Sequence, residues 1–142
     1  MMKFLKKFKG TYFDITVVLT LWLYVFLTKN SFGHWQIFGL ILTFLSAILW
    51  LFARFELNDA FAVKPMAKKI VKTGIYSKIR HPIYTSSILI GLGFCLLFQK
   101  WFVYLIYAGL VIMQVTRARQ EEKILTKTFD QEYIKYKKST WF

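Results

Sequence analysis

The sequence predicts an all-α integral membrane protein with about four transmembrane helices, cytoplasmic N- and C-termini, and a C-terminal helical hairpin carrying a polar site. Three observations carry this reading. Of 142 residues, 56% are hydrophobic and 20% aromatic, well above an ordinary soluble domain. Four apolar runs, Tyr12 to Thr28, Trp35 to Ala53, Ile83 to Phe98 and Trp101 to Thr116, approach the roughly 20 residues a helix needs to cross the hydrocarbon. The third is charge. Four of the 20 Lys and Arg residues precede the first run, one separates the first and second, seven the second and third, and one the third and fourth, and seven follow. Eighteen therefore fall on one side of a four-span topology, and the positive-inside rule puts that side in the cytoplasm. The net charge of +13 is thus accounted for by topology, and no nucleic-acid partner is expected.

Taken in order, Met1 to Lys9 is basic and leads into an apolar run, as a secretory signal would. The run is longer than a signal core and no small-x-small cleavage site follows, so it reads as an uncleaved first span with Asp14 snorkelling at its edge. Residues 1–53 form a two-span hairpin whose outer loop, Lys29 to His34, ends beside the interfacial Trp35. Residues 54–82 form a cytoplasmic loop, interrupted by Pro65 and Gly74, and residues 83–142 a second two-span hairpin with a cytoplasmic helical tail. The whole chain, 1–142, reads as a single membrane domain. Only Gln99-Lys100 separates the third and fourth spans, so these must run antiparallel. Ser87, Gly91 and Gly93 are small residues that let helices approach closely. Gly91-Leu92-Gly93 is no dinucleotide loop, since it lies mid-span without a third glycine or a preceding strand. The fourth helix is expected to continue through Leu125, with a basic end at Lys135 to Lys138. Cys95 is the only cysteine, which excludes an intrachain disulfide and a cysteine metal cluster. No metal site is expected.

Two polar clusters stand at the same end of the last two spans. One is Arg80-His81-Pro82-Ile83-Tyr84, the other Arg117-Ala118-Arg119-Gln120-Glu121-Glu122. Pro82 suits the first turn of a helix and pushes His81 towards an extended conformation. Arg117, Glu121 and Leu125 recur at i, i+4 and share a face, with Arg119 and Glu122 on a different side. Antiparallel pairing then sets His81 and Tyr84 against the Arg117–Glu121 stripe. An interfacial belt of basic and aromatic anchors would account for Arg80, Lys78 or Arg119 singly, but less well for the joint set.

The stretch from Ile70 to Tyr84, with its GxYxxxRHPxY pattern, resembles the isoprenylcysteine carboxyl methyltransferase and phospholipid methyltransferase superfamily. So does the second block, Arg117-x-Arg119-x-Glu121-Glu122-x-x-Leu125 followed by Phe129-Asp130-Gln131-Glu132-Tyr133-x-x-Tyr136. The resemblance covers roughly Phe61 to Thr140. It implies an integral membrane methyltransferase using S-adenosylmethionine in a cytoplasm-facing pocket. By the same resemblance the cofactor contacts are Ile70, Val71, Tyr76, His81, Pro82, Ile83, Tyr84 and Glu121, the substrate-side arginine is Arg117, and Arg117 and Glu121 are the catalytic pair. Asp130 stands where relatives often carry Gly, and Lys68 where they often carry His.

These residue types suit the cofactor. His81 or the start of the third helix can meet its carboxylate, Glu121 its ammonium, and Tyr76 or Tyr84 its adenine or sulfonium. Arg117 either orients an anionic acceptor or pairs with Glu121. Expected partners are a lipophilic or lipid acceptor, membrane lipids, and a second copy of the chain to help wall a pocket built from short spans. The expected location is a prokaryotic inner membrane with the site facing the cytoplasm. Two alternatives stand: an NADPH-dependent reductase of the sterol-reductase type, whose relatives carry a similar RHPxY element, and a non-catalytic membrane scaffold.

Overall fold

The computed structural model describes residues 19, 20, 23, 27, 32–57 and 72–141. The chain divides into two compact units, Met1–His34 and Trp35–Phe142. In the first, Leu19, Thr20, Leu23 and Leu27 are helical and exposed. The rest of the expected first span, with Asp14, lies outside the described residues, as do Pro65, Lys68, Ile70 and Val71. The described chain otherwise comprises three α-helices, α1 (His34–Leu57), α2 (Pro82–Phe98) and α3 (Trp101–Ser139), and a 3-10 turn over Gly74–Ser77. Among the described residues there is no sheet, only a parallel bridge between Ile79 and Trp141.

The all-α expectation holds for these residues. Helices α1 and α3 are long and apolar enough to cross a membrane, while α2, at 17 residues, is a shorter apolar helix. α1 outruns the apolar stretch and carries Arg54 and Glu56 on its last turn, so Glu56 belongs to a helix rather than to the loop. The Arg54 to Leu57 stretch holds no Gly or Pro to stop the helix there.

α2 is the central helix. Each of its residues is at least partly covered, whereas Trp101, Phe102, Leu105, Ile106, Ile112 and Met113 of α3 are exposed. Pro82 opens it at N1, and Gln99, in a left-handed conformation at φ 51°, closes it by donating its N–H to Cys95 O at 2.9 Å. Small residues bring its neighbours close, as expected. A Cβ on Gly93 would strike Thr43 Oγ1 and Gly39 O of α1, and one on Gly91 would come within 2.9 Å of Tyr107 Cδ2 of α3. Hydroxyl groups at this depth return to helix carbonyls: Thr43 Oγ1 donates to Gly39 O at 2.8 Å, Ser86 Oγ to Pro82 O at 2.6 Å and Ser87 Oγ to Ile83 O at 2.8 Å. An apolar layer, with no water to satisfy a hydroxyl, favours that choice.

α3 continues past Leu125, where a helical tail is expected, runs on to Ser139 and is bent at Asp130. Its polar second half has no apolar run to announce it. It is held instead by tertiary docking, with Tyr133 and Tyr136 buried. Asp130 sits at φ 38°, ψ −114°, a backbone region open mainly to glycine.

Two outcomes follow from the packing. Gly93→Ala is expected to lower stability by about 1–3 kcal/mol through overpacking against α1, while Gly109→Ala, with nothing within 4 Å of the added carbon, is expected to be neutral or slightly stabilising. Asp130→Gly is expected to raise stability by about 1 kcal/mol by relieving the left-handed backbone. Thermal unfolding of the detergent-solubilised chain reads all three.

Candidate functional site

The site is built on a backbone that glycine makes possible. Gly74 adopts φ 55°, and a Cβ there would collide with the Glu56 carboxylate, whose Oε2 accepts the Ile75 N–H at 2.7 Å. The end of α1 thereby anchors the 3-10 turn. That turn buries Tyr76, whose carbonyl accepts the Tyr136 hydroxyl at 2.6 Å. Beyond it the end of α3 straps the chain leading to His81. Trp141 N–H donates to Lys78 O at 2.7 Å, and Arg80 N–H donates to Trp141 O at 3.1 Å. Lys72 and Glu132 add an exposed ion pair at 2.6 Å.

His81 then caps α2 at φ −124°, ψ 56°, 6% exposed, with its carbonyl accepting the Thr85 N–H at 3.0 Å. Pro82 has no N–H, so those of Ile83 and Tyr84 lie ahead of the helix's first internal hydrogen bond and point out of its positive end. The His81 and Tyr84 rings lie 5.6 Å apart.

The two adjacent glutamates of α3 have unlike surroundings, because neighbouring helical residues point about 100° apart. Glu122 is tied three ways: to Arg80 Nη1 at 3.1 Å, to His81 Nε2 at 3.4 Å and to Lys137 Nζ at 2.9 Å. The Arg80 contact is an ion pair without hydrogen-bond alignment, since neither its Nε nor this Nη1 makes a hydrogen bond. Glu121 pairs with no Lys or Arg among the described residues. It lies 3.9 Å from His81 Nδ1 and faces the Tyr84 hydroxyl. The two ring nitrogens of His81 thus face different carboxylates, Nε2 that of Glu122 and Nδ1 that of Glu121.

Electrostatics sharpen the contrast. Burial pushes the His81 pKa below its ordinary 6.5, and the Glu121 and Glu122 carboxylates only partly offset it, so the ring is neutral at pH 7. Burial alone would raise Glu122, but Lys137, Arg80 and His81 outweigh it and hold the group below its ordinary 4.5. Tyr76 is raised first by burial and then by the negative Glu121. Burial also raises Tyr133, and it pushes Tyr136 up to about 12. These phenols remain hydrogen-bond donors throughout the physiological range.

Of the residues singled out from sequence, the structure brings together Tyr76, His81, Tyr84 and Glu121, with Pro82 fully buried beneath them and Ile83 part-covered. Arg117 acts electrostatically on Tyr84 but is exposed and makes no ion pair with Glu121. Ile70 and Val71 lie outside the described residues. Glu122, expected on a different side with Arg119, instead belongs to the site through Arg80, His81 and Lys137. Glu56, Lys137 and Trp141 were not singled out, and nothing local in the sequence marks them. Tyr133 and Tyr136 were visible as part of the second motif, without their supporting role.

A family model described as phospholipid methyltransferase matches residues 32–132, well over half of the chain. Neither the curated proteins nor the solved structures yield a match.

Acid is expected to loosen the site in two stages. Unfolded His81 binds a proton near pH 6.5 and folded His81 only lower, so stability is present above 6.5 and falls as pH drops towards the depressed value. The Glu122 carboxylate stabilises fully above 4.5 and progressively less below it. Denaturation followed against pH should lose the upper stage in His81→Gln and the lower stage in Glu122→Gln.

Proposed function

The chain belongs to the phospholipid methyltransferase family, and from that premise we propose an S-adenosylmethionine-dependent enzyme embedded in the membrane. It transfers a methyl group to a lipophilic or amphipathic acceptor at the cytoplasmic face. Family membership supports methyltransferase activity, and the two helices of membrane-crossing length support membrane association. The cofactor assignment rests on one observation: among the described residues Glu121 has no Lys or Arg partner, while Glu122, beside it, is held by Arg80, His81 and Lys137.

The residues fit the cofactor. Glu121 would hold the ammonium, and the Ile83 and Tyr84 N–H groups at the α2 N-terminus the carboxylate. The Tyr76 and Tyr84 rings would take the adenine and the sulfonium side. When bound, S-adenosylmethionine supplies an electrophilic methyl on a positively charged sulfur. The chain's own work is alignment. His81, kept neutral, adds no positive charge beside the sulfonium, and the buried Tyr76 and Pro82 exclude water from one wall. Arg117, exposed beside Tyr84 and without an ion pair among the described residues, would orient an anionic acceptor, a carboxylate or thiolate, whose lone pair needs no general base; an amine acceptor would first lose a proton.

Equilibrium binding of labelled S-adenosylmethionine to the detergent-purified chain tests this. Wild type is expected to retain it, Glu121→Gln to weaken it by roughly tenfold or more, and Arg117→Ala to leave it intact while lowering acceptor turnover. Binding of NADPH with no S-adenosylmethionine signal would favour the reductase reading, and binding of neither would favour a scaffold.

A further inference from the structure

The contact seam between α2 and α3 continues past the cofactor residues to a polar group that the proposed function leaves unused. Cys95 Sγ approaches Val103 O at 3.9 Å, and Gly91 lies against Tyr107 and Leu110, so Val103, Tyr107 and Leu110 face α2. The same alternating spacing of four and three residues carries that face on through Gln114, Arg117 and Glu121. Gln114 is the only one of these three within the apolar stretch. Its Oε1 is buried and has no hydrogen-bond partner among the described residues.

Neighbouring polar groups behave otherwise. Ser86, Ser87 and Thr116 hydroxyls all donate to carbonyls of their own helices, and the Tyr84 hydroxyl faces Glu121. A buried amide oxygen without a donor loses its hydration with nothing returned. Polar side chains at membrane depth are expensive and are kept where a partner repays the cost, on a neighbouring helix or on a ligand. Along the helix axis Gln114 lies about 4.5 Å to the membrane side of Arg117 and about 10.5 Å from Glu121. Seven residues on from Tyr107 it stands level with Tyr84, which lies seven residues back from Gly91 on α2.

Resting on the methyltransferase reading, we infer that Gln114 is a specificity-determining residue in the acceptor half of the site. Its Oε1 accepts a hydrogen bond from an O–H or N–H of the acceptor, and Arg117 holds the acceptor's anionic group one helical turn nearer the water. The ligand class is therefore an anionic amphiphile whose hydrogen-bond donor lies on the apolar side of its charge, such as an N-acyl amino acid or a hydroxylated fatty acid.

The test uses the full chain in lipid nanodiscs and two probes differing in one group: N-oleoylglycine, with an amide N–H, and N-oleoylsarcosine, with a methyl in its place. Binding is read directly, with and without S-adenosylhomocysteine. Wild type is expected to prefer the N–H form about tenfold, a size typical of one hydrogen bond to a buried group. Gln114→Leu is expected to bind both alike, to keep its affinity for S-adenosylhomocysteine, and to melt no lower than wild type. A Gln114→Leu chain that keeps the preference, a wild type that shows none, or a lowered melting temperature that assigns Gln114 to packing would each overturn the inference. Lipid preference intact without cofactor binding would instead sink the methyltransferase reading and leave the Gln114 contact standing.

Discussion

The Glu122 carboxylate is the point on which this architecture turns. It gathers Arg80 and His81 from the segment before α2 and Lys137 from the far end of α3. It thereby joins the chain before α2 to both the middle and the far end of α3. A partly buried carboxylate with several donors is stabilised as an anion, and the shift of Glu122 to the acidic side reflects that. Removing it would strand Arg80, whose side chain is 13% exposed, as a buried cation without its counter-charge.

With Glu122 engaged, its neighbour is left for other work. Glu121 carries a negative charge into a surround of Tyr76, His81 and Tyr84, none of which is a cation at neutral pH. A protein that used both carboxylates for ion pairs would gain little stability from the second, since such pairs contribute modestly when partly exposed. The division of labour between adjacent residues follows from helix geometry alone. One points at the strap formed by the tail, the other along the α2 seam. The backbone around them is equally constrained, because Gly74 leaves room for Glu56 and the Trp141 backbone pins Lys78 and Arg80.

Much of this was legible in the amino-acid sequence. The two-residue Gln99-Lys100 link leaves the last two spans only an antiparallel arrangement, and Pro82 marks where α2 begins, so the meeting of His81, Tyr84 and Glu121 follows from chain geometry. Gly91 and Gly93 signalled close packing by their size and place. What stayed hidden depends on contacts between segments far apart. The Glu56 carboxylate on Gly74 and the Trp141 bridge to Ile79 have no periodic or compositional signal. A helical tail is expected after Leu125, but its reach to Ser139 rests on the docking of Tyr133 and Tyr136, not on an apolar run. Asp130 shows the converse: a departure from a pattern became intelligible once its left-handed backbone was seen.

The proposed division of roles leaves Glu121, with no Lys or Arg partner among the described residues, to receive a ligand's ammonium while Glu122 holds the fold. It is tested most directly by a cycle between protein and ligand, in which S-adenosylhomocysteine and its analogue lacking the amino group are bound to wild type, Glu121→Gln and Glu122→Gln. Wild type and Glu122→Gln are expected to favour the amino form by at least about tenfold, as a charge-assisted hydrogen bond of roughly 1.5–3 kcal/mol requires, and Glu121→Gln to favour it hardly at all. Full discrimination surviving in Glu121→Gln, or lost only in Glu122→Gln, would contradict it.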